Sequence, residues 1–120
     1  MISVRARRIS SPAELVADTI RRRLAFERQS ARESNLPRVA GPPYGVRVTT
    51  RRVEADARSI ADSIAYEGFA TRVHGWTAES GDYWDVYVTG LASMVDAGAV
   101  ARELAADGWE TDLVVFSIRP

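Results

Sequence analysis

A chain of 120 residues with 46% hydrophobic content is long enough to bury one modest core and too short for two. Its 16 basic and 16 acidic residues cancel, so the chain as a whole lacks the basic surface by which proteins hold nucleic acid or an anionic membrane. Cysteine is absent, which excludes disulfides, thiolate nucleophiles and cysteine-held metals and fits a reducing compartment.

Charge is nevertheless divided along the chain. Residues 1–43 hold nine arginines against four carboxylates, a net +5, and residues 44–120 hold seven against twelve, a net −5. A basic arm therefore precedes an acidic domain. Every basic residue is arginine, and with abundant Ala, Val and Asp the composition is that of a high-GC bacterial or bacteriophage genome. The opening run MISVRARRISSPAELV has no apolar stretch of the about 7–15 residues an export signal needs, and nothing approaches the roughly 20 apolar residues of a membrane span. The expectation is a protein with no membrane partner that stays in the cytoplasm where it is made, unless a larger particle carries it out.

Taken in chain order, residues 2–9 (ISVRARRI) alternate in part and read as a strand or an extended arm. A helix start follows at Ser11-Pro12-Ala13-Glu14: Ser11 can cap, Pro12 sits where its missing N–H costs nothing, and Glu14 completes a capping box. Ala13, Val16, Ala17, Ile20 and Leu24 recur at helical spacing, which predicts an amphipathic helix from Pro12 to about Arg32 with an arginine-rich opposite face. Asn35 and Pro37 end it. The run LPRVAGPPYG (36–45), with three prolines and two glycines, is too stiff and too poor in donors for an element interior and reads as a strap.

From Val46 onward the chain repeats itself at an offset of 40 without gaps. Val46-Arg47-Val48-Thr49 falls on Val86-Tyr87-Val88-Thr89, Ala57 on Ala97, Ile60 on Val100, Ala61 on Ala101, Ile64 on Leu104, Gly68 on Gly108, Phe69 on Trp109 and Thr71 on Thr111. Each copy contains a Val-x-Val strand of period two, then an i, i+3, i+4 apolar stripe, then a glycine at the helix C′ position followed by an aromatic. A second strand closes each unit, Thr71 to Trp76 and Thr111 to Ile118, and a polar turn over Thr77 to Asp82 joins the two. Two such units make a βαββαβ domain of α+β class, a four-stranded antiparallel sheet with both helices on one face.

The runs Tyr44-Gly45-Val46-Arg47-Val48-Thr49-Thr50-Arg51 and Trp84-Asp85-Val86-Tyr87-Val88-Thr89-Gly90-Leu91 resemble the paired strand motifs of the SPOR domain family. In that family a Tyr-x-Val-Gln-Val-Gly-Ser-Phe strand, an Ala/Leu helix and a Gly-aromatic turn precede a second such strand. Arg47, Thr49 and Arg51 stand where the pattern has Gln, Gly and an aromatic. The resemblance covers about two thirds of the chain, residues 44–120 as a domain after an arm over 1–43. It implies a ferredoxin-like fold and non-catalytic binding of peptidoglycan glycan strands on the open face of the sheet.

Few residues are placed for chemistry. His74, the one histidine, lies on a strand with no nucleophile set beside it by any motif. Glu79, Asp82 and Asp85 gather around the central hairpin without the spacing of a calcium loop, and Ala40 to Gly45 lacks the Lys-Ser/Thr and the following helix of a phosphate loop. The βαββαβ order is shared with RNA-binding sheets, yet Asp82-Tyr83-Trp84-Asp85-Val86-Tyr87 is acidic where such a sheet is basic. The reading is therefore of no catalytic residues, metal, cofactor or nucleic-acid partner.

With Val46, Val48, Val73, Val86 and Val88 turned toward the helices, alternation sends Arg47, Thr49, Arg72, His74, Trp76, Asp85, Tyr87, Val114 and Phe116 to the other side. So mixed and aromatic a face calls for cover, by the chain's own helix or by a partner. The leading expectation is a structural subunit of a larger assembly, such as a bacteriophage particle, binding other proteins or copies of itself. Its arm would make contact through Val16, Ile20, Leu24, Arg21 and Arg28. Its sheet would offer Arg47, Thr49, Arg72, Trp76, Tyr87 and Phe116. The alternative is a glycan-binding module of the peptidoglycan type on that same face.

Overall fold

Gly68 and Gly108 adopt φ of +105° and +99°, the left-handed conformation that a helix ending in glycine uses. These two glycines close the helices of the paired repeats in a computed structural model that describes residues 12–118. The expected strand over 2–9 and the Ser11–Glu14 capping box lie outside the described residues and side chains. The elements are α1 (Pro12–Ser34), β1 (Arg38–Val39), β2 (Tyr44–Arg51), α2 (Glu54–Tyr66), β3 (Thr71–Ala78), β4 (Gly81–Leu91), α3 (Met94–Ala106), β5 (Asp112–Val115) and β6 (Ser117–Ile118). The main sheet has the order β3-β4-β2-β5 with every pairing antiparallel, and α2 and α3 pack on one face of it. This is the α+β, ferredoxin-like βαββαβ arrangement that the repeat predicts.

The core between helices and sheet consists of Val46, Val48, Val86 and Val88 from the strands against Ala57, Ala61 and Ile64 of α2 and Ala97 and Leu104 of α3. Alanine at 57, 61 and 97 keeps the helices close to the strands, and Ile64 and Leu104 fill the space that remains. The repeat extends to polar detail: the hydroxyl of Thr71 donates to Ala61 O (3.3 Å) and that of Thr111 to Ala101 O (3.4 Å). The helix ends match as well. The N–H of Gly68 bonds Ala65 O at 2.9 Å and that of Gly108 bonds Ala105 O at 3.0 Å. One difference lies at the helix starts, where the Ser93 hydroxyl accepts from the Asp96 N–H at 3.1 Å while Val53, forty residues earlier, has no side-chain oxygen to offer.

Three local expectations are corrected. The hairpin between repeats is tighter than Thr77–Asp82, because Thr77 pairs with Asp82 and Ala78 with Gly81, leaving only Glu79 and Ser80 in the turn. Gly81 takes φ +126° there, and a Cβ on it would meet the Arg52 guanidinium. The single strand expected over Thr111–Ile118 is split, since the Phe116 N–H donates to Pro43 O at 2.7 Å and β6 leaves the main sheet to pair in parallel with β1. Lastly, Thr49 does not share the open face with Arg47. A bulge between Arg47 and Thr49 shifts the register, so Thr49 falls opposite the core residue Val86, and Thr50 takes the place opposite Asp85.

Candidate functional site

The face of the sheet away from α2 and α3 is covered by the protein's own N-terminal segment. Part of α1 lies over it on the β3 side, and the strap seats Leu36 and Val39 against Tyr87, Val114 and Phe116. The Tyr87 and Phe116 rings meet edge to face at 5.2 Å between centroids, and Trp76 stacks on Tyr83 at 4.4 Å. Trp76, Tyr87 and Phe116, expected on the sheet's binding surface, are accordingly buried. Arg72 is half-buried and donates to Arg38 O at 3.0 Å, which ties the strap to β3. His74 is half-buried on the same face, across from Asp85.

At the centre of this face lies Asp85, with 0% of its surface exposed. A carboxylate so placed requires partners on every side, and four side chains from α1, β2 and β4 supply them. Tyr87 donates its hydroxyl at 2.7 Å, the Thr50 hydroxyl donates to the other oxygen, and the Nε atoms of Arg32 and Arg47 each lie 3.6 Å away. Arg32, from α1, also donates to Thr50 at 3.2 Å and stands 5.1 Å over the Trp76 ring. One carboxylate thus ties α1 to β2 and β4, and Arg32 extends the contact to Trp76 of β3. Arg32 and Thr50 escaped the sequence reading because nothing local marks them: one belongs to the polar side of a helix, and the other enters only through the bulge.

Burial first, and the Asp85 charge second, push the Tyr87 phenol well above its ordinary 10.0. A raised pKa means that the folded state holds the proton more tightly than the unfolded chain. The stability it contributes is complete below pH 10 and is lost as pH rises above that value. All basic residues are arginine, so no lysine titrates in the same range. Thermal melts from pH 8 to pH 11 should therefore show a fall in Tm beginning near pH 10, and Tyr87→Phe should flatten it. An alkaline fall of equal size in that variant would assign the effect to another tyrosine.

Glu27 of α1 meets Glu79 of the hairpin. A hydrogen bond with Glu79, desolvation and the Glu79 charge raise its pKa above the usual carboxylate value, against the pull of Arg23 and Arg28. Glu27 Oε1 itself is shut off from water and has no hydrogen-bond partner.

The β2 and β5 side of the face stays open. Two clefts of about 440 and 390 Å³ meet at the Arg47–Asp112 ion pair, whose Nη1–Oδ2 distance is 3.0 Å. The first lies where β2 runs on beyond its pairing with β5, and Arg32, Thr50, Arg51, Trp109 and Glu110 line it. The second lies beside the end of α1, between Gln29, Leu36 and Val114. Together they form a mainly polar trough of guanidinium, carboxylate and hydroxyl groups with one indole at its lip. Of the six sheet residues expected to bind, Arg47 lines both clefts and Thr49 lines the first although the bulge turns it from the open face, and Val114, also expected on that face, lines the second. The sequence did contain a signal for Asp112, because antiparallel pairing sets it directly across from Arg47.

The predicted arm residues divide. Leu24 and Arg28 are half-buried, whereas Val16 (59% exposed), Ile20 (46%) and Arg21 remain on the surface. Among the described residues no three His, Asp or Glu side chains gather to hold a metal ion, and no helix is long and apolar enough to cross a membrane.

No family model matches the chain, and no curated protein matches it. Among solved structures it is similar to the solution structure of the peptidoglycan binding domain of the B. subtilis cell wall lytic enzyme CwlC. Identity is 22% over 68% of this chain and the whole of that domain, with a TM-score of 0.49.

Proposed function

We propose that this protein is a non-catalytic module that binds a glycan strand of the peptidoglycan type in the trough along β2 and β5. The observation that carries the reading is the trough itself, two clefts sharing the Arg47–Asp112 pair, with Arg51 and Glu110 exposed along the first and the Trp109 indole at its edge. Sugar hydroxyls both donate and accept, so they are matched by guanidinium donors alternating with carboxylate acceptors. The indole offers a flat apolar surface for the C–H face of a pyranose ring. The pattern suits neither a polyanion nor an apolar peptide, since arginine and carboxylate are interleaved. Asp85 lies beneath, and its ion pair with Arg47 keeps that guanidinium in place without a ligand.

The measurement is co-sedimentation of the full chain with purified peptidoglycan. Arg51→Ala combined with Glu110→Ala removes two exposed lining groups that bear no load in the core. The double variant should bind at least about tenfold more weakly, given roughly 1.5–3 kcal/mol for a hydrogen bond to a charged group. A full chain that stays in the supernatant, or a double variant that pellets as well as the parent, sinks the proposal.

A second reading, a subunit that joins neighbours in a larger assembly such as a phage particle, is favoured by one observation. The apolar stripe of α1 is left exposed at Val16 and Ile20.

A further inference from the structure

The three helices are not held equally. Among the described residues, α2 buries Ala57, Ala61 and Ile64 and α3 buries Ala97 and Leu104, whereas α1 buries no side chain completely. Its docked part reaches only half-burial, through Leu24, Glu27, Ala31 and Arg32. So little apolar surface holds a helix weakly, and the polar contacts of this seat are incomplete. Glu27 Oε1 and Arg32 Nε on the helix, and Trp76 Nε1 beneath the Arg32 guanidinium, are shut off from water without a hydrogen-bond partner. Each forfeits its bonds to water while α1 is down. Such a helix detaches more readily than the two that build the core.

The same helix is a wall of the trough. Arg32 lines the first cleft and Gln29 the second, with Leu36 of the strap beside it, and the other lining residues come from β2, β5 and the chain just before β5. Arg32 is also the latch of α1: its Nε pairs with Asp85, and its Nη2 donates to Thr50, itself a lining residue of the first cleft. Whatever occupies that cleft therefore touches the groups that hold α1 down. We infer that α1 is a movable wall, loosely seated in the free protein, and that a glycan in the trough closes it through Gln29 and Arg32. The inference rests on the glycan reading and adds to it a coupling between ligand and helix. A strand spanning both clefts meets Gln29 and Arg32 only when α1 is docked, so it favours the docked state by that contact. By reciprocity a firmly docked α1 raises the affinity by the same factor. Helices α2 and α3 lie on the opposite face of the sheet and take no part.

Hydrogen exchange of the full chain, with and without soluble glycan fragments released from peptidoglycan by a muramidase, reads the closure directly. In the free protein the amides of residues 24–34 should exchange at least about tenfold faster than those of α2 and α3. With the fragments they should slow at least about fivefold, together with those of β2 and residues 108–112. Leu24→Asp, on the docked side of α1 but outside both clefts, should loosen the helix and weaken fragment binding at least about fivefold, while exchange in α2 and α3 stays as in the parent. Val16→Asp, at an exposed position of the same helix, should bind like the parent. Three results would each overturn the inference and leave the glycan reading standing: α1 amides as protected as those of α2 in the free protein, fragments that slow β2 and residues 108–112 but not α1, or a Leu24→Asp variant that binds as well as the parent. Fragments that slow no segment would sink both.

Discussion

Asp85→Ala is expected to destabilise the protein by about 3–5 kcal/mol, the cost of breaking a buried ion pair by removing one partner. The carboxylate is fully enclosed, and its removal strands what it holds: the Tyr87 and Thr50 hydroxyls and the Nε groups of Arg32 and Arg47, neither of which has another hydrogen-bond partner at that nitrogen. Two positive charges then face each other across the vacated site. Arg32 also belongs to α1, so the loss should be regional as well as global, and hydrogen exchange in α1 should speed up more than in α2. Urea unfolding followed by circular dichroism measures the first effect. Arg47→Ala in the Asp85→Ala background should cost less than Arg47→Ala alone, because the stranded charge goes with it. A loss below about 1 kcal/mol for Asp85→Ala would mean that water or a side-chain shift compensates, and that Asp85 is not the anchor described here.

The repeat supplies the second large effect. Ile64→Ala and Leu104→Ala should each cost roughly 2–5 kcal/mol, as truncations of buried aliphatic side chains do. Both are almost wholly enclosed, and both fill the space between a helix whose other inward residues include alanines and strands lined with valine. The surroundings are rigid strand backbone, so the cavities left behind have little means of closing. The positions are forty residues apart in register, so the two costs should agree within about 1 kcal/mol. Tyr66→Ala, two residues beyond Ile64 but 94% exposed, should change stability by less than about 0.5 kcal/mol. Unequal losses at 64 and 104 would show that the repeats share a fold without sharing their energetics.

Legibility in this sequence followed range. The Val-x-Val runs, the stripes through Ala57, Ile64, Ala97 and Leu104, and the glycine stops at 68 and 108 each depend on neighbours within one or two turns, and the structure has all of them where the pattern puts them. Doubling at an offset of 40 then made the topology readable, because a unit that buries only one face requires its copy. The helix Pro12–Ser34 was legible for the same reason, in its periodicity and its proline start. What it lies on was not.

The site belongs to longer range. Arg32, Arg47, Thr50 and Asp85 come from three separate elements, α1, β2 and β4, and no periodicity within any one of them reports that the others are near. Alternation assigned Thr49 to the open face, and a single bulge handed the place to Thr50, since one inserted residue reverses the side of everything that follows. Similarly, the chain after Thr111 has the composition of one strand, and only the Pro43 carbonyl and the β1 edge waiting beside it divide that strand at Phe116. Local sequence determined the two repeats and the amphipathic helix, because hydrophobic period and glycine conformation act within an element. The cover over the sheet, the buried charge and the trough were decided by the tertiary structure alone, because pairing register and the meeting of distant segments are properties of the whole chain.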